Sequence, residues 1–113
     1  MPEKCTVTRS HRPDPGEPLV ARAGDTLRVE ERPTEWEGWL WSENPAGVTA
    51  WVPVAYLARD GDTARLTRDY SSRELDVDPG ETLEVLEEES GWYVVRDARG
   101  RTGWVPVRAT SPV

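Results

Sequence analysis

His11 and Cys5 are the only residues of their kinds in the chain, and they stand six positions apart near its start. Nucleophilic chemistry needs a base oriented against the nucleophile and a third group to hold that base. No such group accompanies them, so Cys5 reads as a small hydrophobe on a first strand and His11 as a ring filling an aromatic position. With 21 Asp and Glu residues in 113, carboxylate pairs are too common to signal glycoside-type chemistry. No Gly-rich loop opens a helix to cradle a phosphate. A single cysteine excludes an internal disulfide and a multi-cysteine metal site. These residues offer neither a catalyst nor a cofactor site. What remains is binding chemistry: six tryptophans, three tyrosines and ten prolines on a chain of net charge −7.

That charge disfavours nucleic acid as a partner, because such binding draws most of its affinity from neutralising phosphates. It favours basic partners instead. Residues 1–59 hold nine acids against seven bases, and residues 60–113 twelve against seven, so the second half is the stronger candidate for a cationic ligand. The unpaired cysteine, the lack of an apolar stretch after Met1 and the lack of any run near the roughly 20 apolar residues of a membrane span lead to the expectation of a soluble cytoplasmic protein with no membrane partner. Among Lys and Arg, every residue except Lys4 is arginine, and through codon usage this leads to the expectation of a high-GC bacterial source.

The elements that must position the aromatic residues occur twice. Thr6-Val7-Thr8-Arg9-Ser10-His11 matches Arg65-Leu66-Thr67-Arg68-Asp69-Tyr70, and Gly24-Asp25-Thr26-Leu27-Arg28-Val29 matches Gly80-Glu81-Thr82-Leu83-Glu84-Val85. Gly38-Trp39 matches Gly91-Trp92, and Trp51-Val52-Pro53-Val54 returns unchanged as Trp104-Val105-Pro106-Val107. Length differences fall where turns are expected, as a shared scaffold tolerates. Leu27 with Val29 and Leu83 with Val85 alternate with polar neighbours, the period of half-buried strands. Trp92 to Arg96, the turn Asp97-Ala98-Arg99-Gly100 and a returning strand through Val105 read as a hairpin. Asn44-Pro45-Ala46-Gly47 holds the same turn position in the first half. No helical periodicity is present. The sequence predicts an all-β chain of two tandem five-stranded small barrels, residues 1–59 and 60–113, with Arg59-Asp60-Gly61-Asp62-Thr63 as a short polar linker.

In motif order, spacing and residue type, nearly the whole chain resembles tandem SH3 (Src homology 3) domains of the divergent kind found in bacteria. Asp69-Tyr70 resembles the end of the Ala-Leu-Tyr-Asp-Tyr motif, Gly91-Trp92-Tyr93 the paired-aromatic strand, and Gly103-Trp104-Val105-Pro106 the Gly-Tyr-Ile-Pro segment. The resemblance implies a face of aromatic ridges that receives an extended, proline-rich peptide in polyproline II form. Carried over, the second half supplies Tyr70, Glu74, Trp92, Trp104 and Pro106, with Glu74 placed to pair with a ligand arginine. The first half supplies His11, Trp39, Trp51, Pro53 and Tyr56. Neither set is complete: Arg9 and Arg68 replace a tyrosine in each half, Ala109 replaces the final tyrosine of the second, and Pro18 stands at the Glu74 position in the first. A non-standard ligand, or a site composed from both barrels, is therefore expected.

Other readings compete with this one. Trp51 and Trp104 can serve as core, whereas for Trp39 and Trp92 the aliphatic residues already supply an inward set. Trp36 and Trp41 have no counterparts and fit either a longer n-Src loop or an interface between barrels. Glu87-Glu88-Glu89 fits a solvated turn or a cation-seeking rim with Glu74, Asp76 and Asp78. At the level of function the expectation is a non-catalytic module for a basic or proline-rich protein segment. The alternatives are a peptidoglycan-binding module of the bacterial SH3 kind and a structural pair of barrels with occluded grooves, with oligomeric state left open.

Overall fold

Alternating side chains set the inner and outer faces of each strand, and turns set which strands pair. In the computed structural model, which describes residues 3–113, the strands are β1 (Lys4–Val7), β2 (Val20–Ala21), β3 (Thr26–Glu30), β4 (Trp39–Glu43), β5 (Thr49–Pro53), β6 (Leu57–Asp60), β7 (Thr63–Leu66), β8 (Tyr70–Ser71), β9 (Thr82–Glu89), β10 (Trp92–Arg96), β11 (Thr102–Pro106) and β12 (Thr110–Pro112). Single 3-10 turns, Val54–Tyr56 and Val107–Ala109, follow β5 and β11. Leu27 and Val29 are buried and their polar neighbours exposed, and Leu83 and Val85 repeat this in β9. The chain is all-β, with two five-stranded sheets of the SH3-like small-barrel kind.

The strand orders are β5-β4-β3-β7-β6 and β11-β10-β9-β1-β12, with a two-stranded β2-β8 ribbon besides. The compact units are not residues 1–59 and 60–113: one is Gly16–Ser72, and the other joins Met1–Pro15 to Arg73–Val113. The first strands of the two halves have changed places. β7 pairs with β3 and β6, while β1 pairs with β9 and β12.

The expected linker explains this exchange. Asp60 pairs with Thr63 and Leu57 with Leu66, so Gly61-Asp62 is a two-residue hairpin turn, with Gly61 at φ 65°. Such a turn places its flanking strands side by side. The last strand of one repeat is thereby bound to the first strand of the next, which completes the middle unit. In the stretch from Arg12 to Pro18, Pro13, Pro15 and Pro18 each fix φ and remove a donor, and no strand forms there.

The middle unit buries Leu19, Leu27, Val29, Leu40, Val52, Ala64 and Leu66. The split unit buries Cys5, Val7, Leu75, Val77, Leu83, Val85, Tyr93, Val95 and Val105 in one cluster. Burial raises the pKa of the Cys5 thiol, partly opposed by a bond with the Thr110 side chain. Gly103 lets the returning segment pass, since a Cβ there would lie 2.9 Å from Leu75 Cγ and 3.0 Å from the Arg73 carbonyl oxygen. Glu87, Glu88 and Glu89 belong to β9, where they pair with β10, rather than to a turn.

Asp97 builds the β10–β11 turn. Its carboxylate accepts bonds from the Arg99 and Arg101 backbone N–H groups and from Arg101 Nε, each at 2.8–2.9 Å. Burial pushes this carboxyl up, but those bonds and the arginine charge outweigh it and hold its pKa below the ordinary value. Asp97→Ala should cost about 2 kcal/mol at pH 7 in urea denaturation. Because the folded-state pKa is the lower one, the contribution is complete above about pH 4 and is lost as pH falls through the folded value. The difference between wild type and variant should shrink over that acid range. The exchanged connectivity gives a second expectation: an isolated 16–72 fragment should show a single cooperative thermal transition by circular dichroism, and a fragment without one contradicts the strand pairing.

Candidate functional site

The exchange of first strands also exchanges the aromatic residues of the two expected sites. In the middle unit, Tyr70 on β8 meets Tyr56 from the 3-10 turn, with ring centroids 5.9 Å apart at 70°. Both tyrosines are only 5% exposed. The Tyr70 hydroxyl donates to the Trp51 carbonyl at 2.8 Å, and Thr67 N donates to the Tyr56 carbonyl at 2.9 Å. The guanidinium of Arg68, where the resemblance led to the expectation of a tyrosine, lies 4.3 Å from the Tyr56 ring centroid. The two form a cation–π contact.

Next to the tyrosines runs the outer face of the β4–β5 hairpin. Trp39 pairs with Pro53 and Trp41 with Trp51. Leu40, Ser42 and Val52 point into the core, so alternation turns the three indoles outward, where each is half-buried. Trp41 and Trp51 meet edge to face at 5.2 Å. Pro53 itself is buried. The middle unit therefore collects Tyr56, Tyr70, Trp39, Trp51 and Pro53, a fuller aromatic set than either half of the sequence offered. Trp36 is half-buried in the loop between β3 and β4.

The split unit holds the other residues in a different state. His11 bridges to Val77, its Nε2 donates to Glu74 Oε1 at 2.7 Å, and its ring meets Trp92 edge to face at 5.6 Å. Glu74, expected to capture a ligand arginine, is engaged by the chain's own histidine. Trp104 is only 5% exposed and Pro106 is buried, because the segment through Glu74 lies alongside β11. Trp104 N donates to the Arg73 carbonyl and Leu75 N to the Trp104 carbonyl. Trp92 remains half-buried. Arg12 pairs with Asp78, whose bond and charge raise the arginine's pKa.

Of the ten expected site residues, His11, Trp39, Trp51, Glu74 and Trp92 reach the surface, whereas Pro53, Tyr56, Tyr70, Trp104 and Pro106 lie beneath it. The exchange also moves charge. The middle unit carries ten acids against six bases and the split unit eleven against eight, so the greater net negative charge lies on the middle unit, not on the C-terminal half. Trp41 could have been placed from the sequence, since Trp39-Leu40-Trp41 alternates and puts both indoles on one face. The pairing of Tyr70 with Tyr56 had no such local signal.

Small five-stranded barrels bearing an aromatic groove define a class of peptide-capturing modules. Residues 69–107, about a third of the chain, match the family model for the SH3 domain. SH3 domains are non-catalytic modules of protein–protein interaction. The matched segment begins on Asp69-Tyr70 in the middle unit and continues from Arg73 in the split one. No curated protein and no solved structure matches the chain. Among the described residues, no helix is long and apolar enough to cross a membrane.

The Tyr70 hydroxyl bond tests the rebuilt site. Tyr70→Phe keeps the ring and removes the donor to Trp51, and should lower stability by about 1 kcal/mol in urea denaturation.

Proposed function

We propose that the chain is a non-catalytic interaction module whose middle unit captures an extended, proline- and arginine-containing segment of a partner protein. The observation carrying this reading is that Trp39, Trp41 and Trp51 share the half-exposed outer face of β4–β5, beside the Tyr56–Tyr70 ring pair. Flat rings receive a polyproline II segment that is already ordered, so little entropy is lost on binding. The buried tyrosines form the floor that holds the indoles in place, and Trp39 opposite Pro53 is the ridge. A net negative unit favours a basic ligand by steering its approach and selecting against acidic ones.

The split unit supports a second, structural reading. Its acid is engaged by His11, its Trp104 is buried and its Trp92 ring meets the same histidine edge to face. A ligand arginine would have to displace that contact. This groove is a closed counterpart that completes the fold and leaves capture to the middle unit.

Titration of the intact chain with proline-rich peptides, followed by tryptophan fluorescence, tests both readings. Trp39→Ala should weaken binding about tenfold or more, as loss of a central aromatic anchor does, while Trp92→Ala should leave it within about twofold. No response to any such peptide, or a loss confined to Trp92→Ala, would overturn the assignment.

A further inference from the structure

The split unit is completed by a strand from the other end of the chain. β1 lies between β9 and β12, with Cys5 opposite Leu83 on one side and Pro112 on the other, and Cys5 and Val7 are fully buried there. Beyond β1 the arm stays on the same unit: the His11 and Val77 backbones bond reciprocally at 3.1 Å, and Arg12 donates to the Val77 carbonyl at 2.8 Å. The chain passes between the two units twice, and the passages differ. At Ser72-Arg73 there is no slack, since Ser72 N donates to the Leu19 carbonyl in the middle unit and the next residue's carbonyl accepts from Trp104 N in the split one. Between Arg12 and Leu19, by contrast, runs Pro13-Asp14-Pro15-Gly16-Glu17-Pro18, exposed from Asp14 onward and outside every strand. Its prolines make it a semi-rigid spacer.

We propose that the arm of residues 3–12 swaps between two copies of this chain, each arm completing the split unit of the other. The slot between β9 and β12 selects a strand by its register and its buried side chains, and a second copy offers the same ones. Every contact of the arm is then remade, so the hinge alone sets the balance between closed monomer and swapped dimer. Tethering favours the closed form by an effective concentration on the order of millimolar, and that is the protein concentration at which swapping competes. The dimer keeps the site of the split unit, but the His11 that faces Glu74 and Trp92 then comes from the other copy. Because β1 is paired along both edges and buries Cys5 and Val7, releasing the arm requires the split unit to open. A dimer formed during folding therefore persists on dilution. It carries two middle units, so a partner with two suitable segments is held at both; that consequence rests on the groove reading above, whereas the swap does not.

Pro112→Cys places a thiol opposite Cys5 across the β1–β12 pair, at a separation a disulfide spans. In the closed monomer that bond joins a chain to itself, and in the swapped dimer it joins two chains. The intact variant is unfolded, refolded under reducing conditions at about 1 mM and at a concentration about a thousandfold lower, then diluted, oxidised and run on non-reducing gels, with the linked peptides mapped by mass spectrometry. Refolding at the higher concentration should give at least about tenfold more dimer joined through Cys5 and position 112. Deleting residues 14–17 from the same variant leaves a tether too short for the arm to return, and should make the linked dimer predominate already at the lower concentration. Bonds within one chain at both concentrations would overturn the swap, and so would a shortened chain that folds as an internally linked monomer. Association through any other surface also gives internal bonds only. No peptide ligand enters the experiment, so linked dimers without proline-peptide binding leave the swap standing and the groove reading lost, and proline-peptide binding with internal bonds alone does the reverse.

Discussion

A turn of two residues governs the architecture of this chain. Gly61-Asp62 leaves no slack between β6 and β7, so the two strands pair from Asp60–Thr63 back to Leu57–Leu66. In a five-stranded small barrel the first and last strands are neighbours in the sheet. A turn that joins the last strand of one repeat directly to the first strand of the next satisfies that neighbour relation across the repeat boundary. The middle unit is thereby complete within one continuous stretch, and β1 must find its partners in β9 and β12. Domain exchange costs little when the exchanged elements are equivalent. Here they are: Val7 and Leu66 occupy matching places, and both are fully buried.

The exchange makes two dissimilar aromatic clusters from two similar halves. Tyr70 leaves the half that lacks a final tyrosine and joins Tyr56, while His11 leaves Tyr56 and joins Glu74. The aromatic residues concentrate in the middle unit, and the histidine–carboxylate contact goes to the split one. The segment alongside β11 completes the contrast, because Gly103 permits an approach that any side chain would block, and Trp104 is covered as a result. On the corresponding strand of the middle unit Trp51 stays half-exposed, supported by Trp41. Divergence between repeats therefore acts through which strand each residue joins as much as through which residue it is.

Charge follows the same logic. Counted along the chain, acids gather in the C-terminal half, but the compact units carry −4 and −3. Within the middle unit the balance is local: Arg32 and Arg68 each lie over an aromatic ring. These two arginines stand where an exposed ring would otherwise meet water. They show that the surface of this unit accommodates guanidinium groups on aromatic faces.

The sequence by itself determined the all-β class, the repeat, the alternation that buries Leu27, Val29, Leu83 and Val85, and the β10–β11 hairpin. Each of these depends on neighbours within a few residues, where period and turn chemistry act directly. It also carried a sign of the exchange in Gly61-Asp62, a hairpin-turn dipeptide that fits a polar linker equally well because polarity and turn formation use the same residues. Only the tertiary structure decided that His11 meets Glu74, that Tyr70 meets Tyr56 and that Trp104 is covered while Trp51 is not. Those contacts join residues far apart in the chain. Two equivalent first strands fit either sheet equally well by local pattern, so the choice between them fell to chain connectivity.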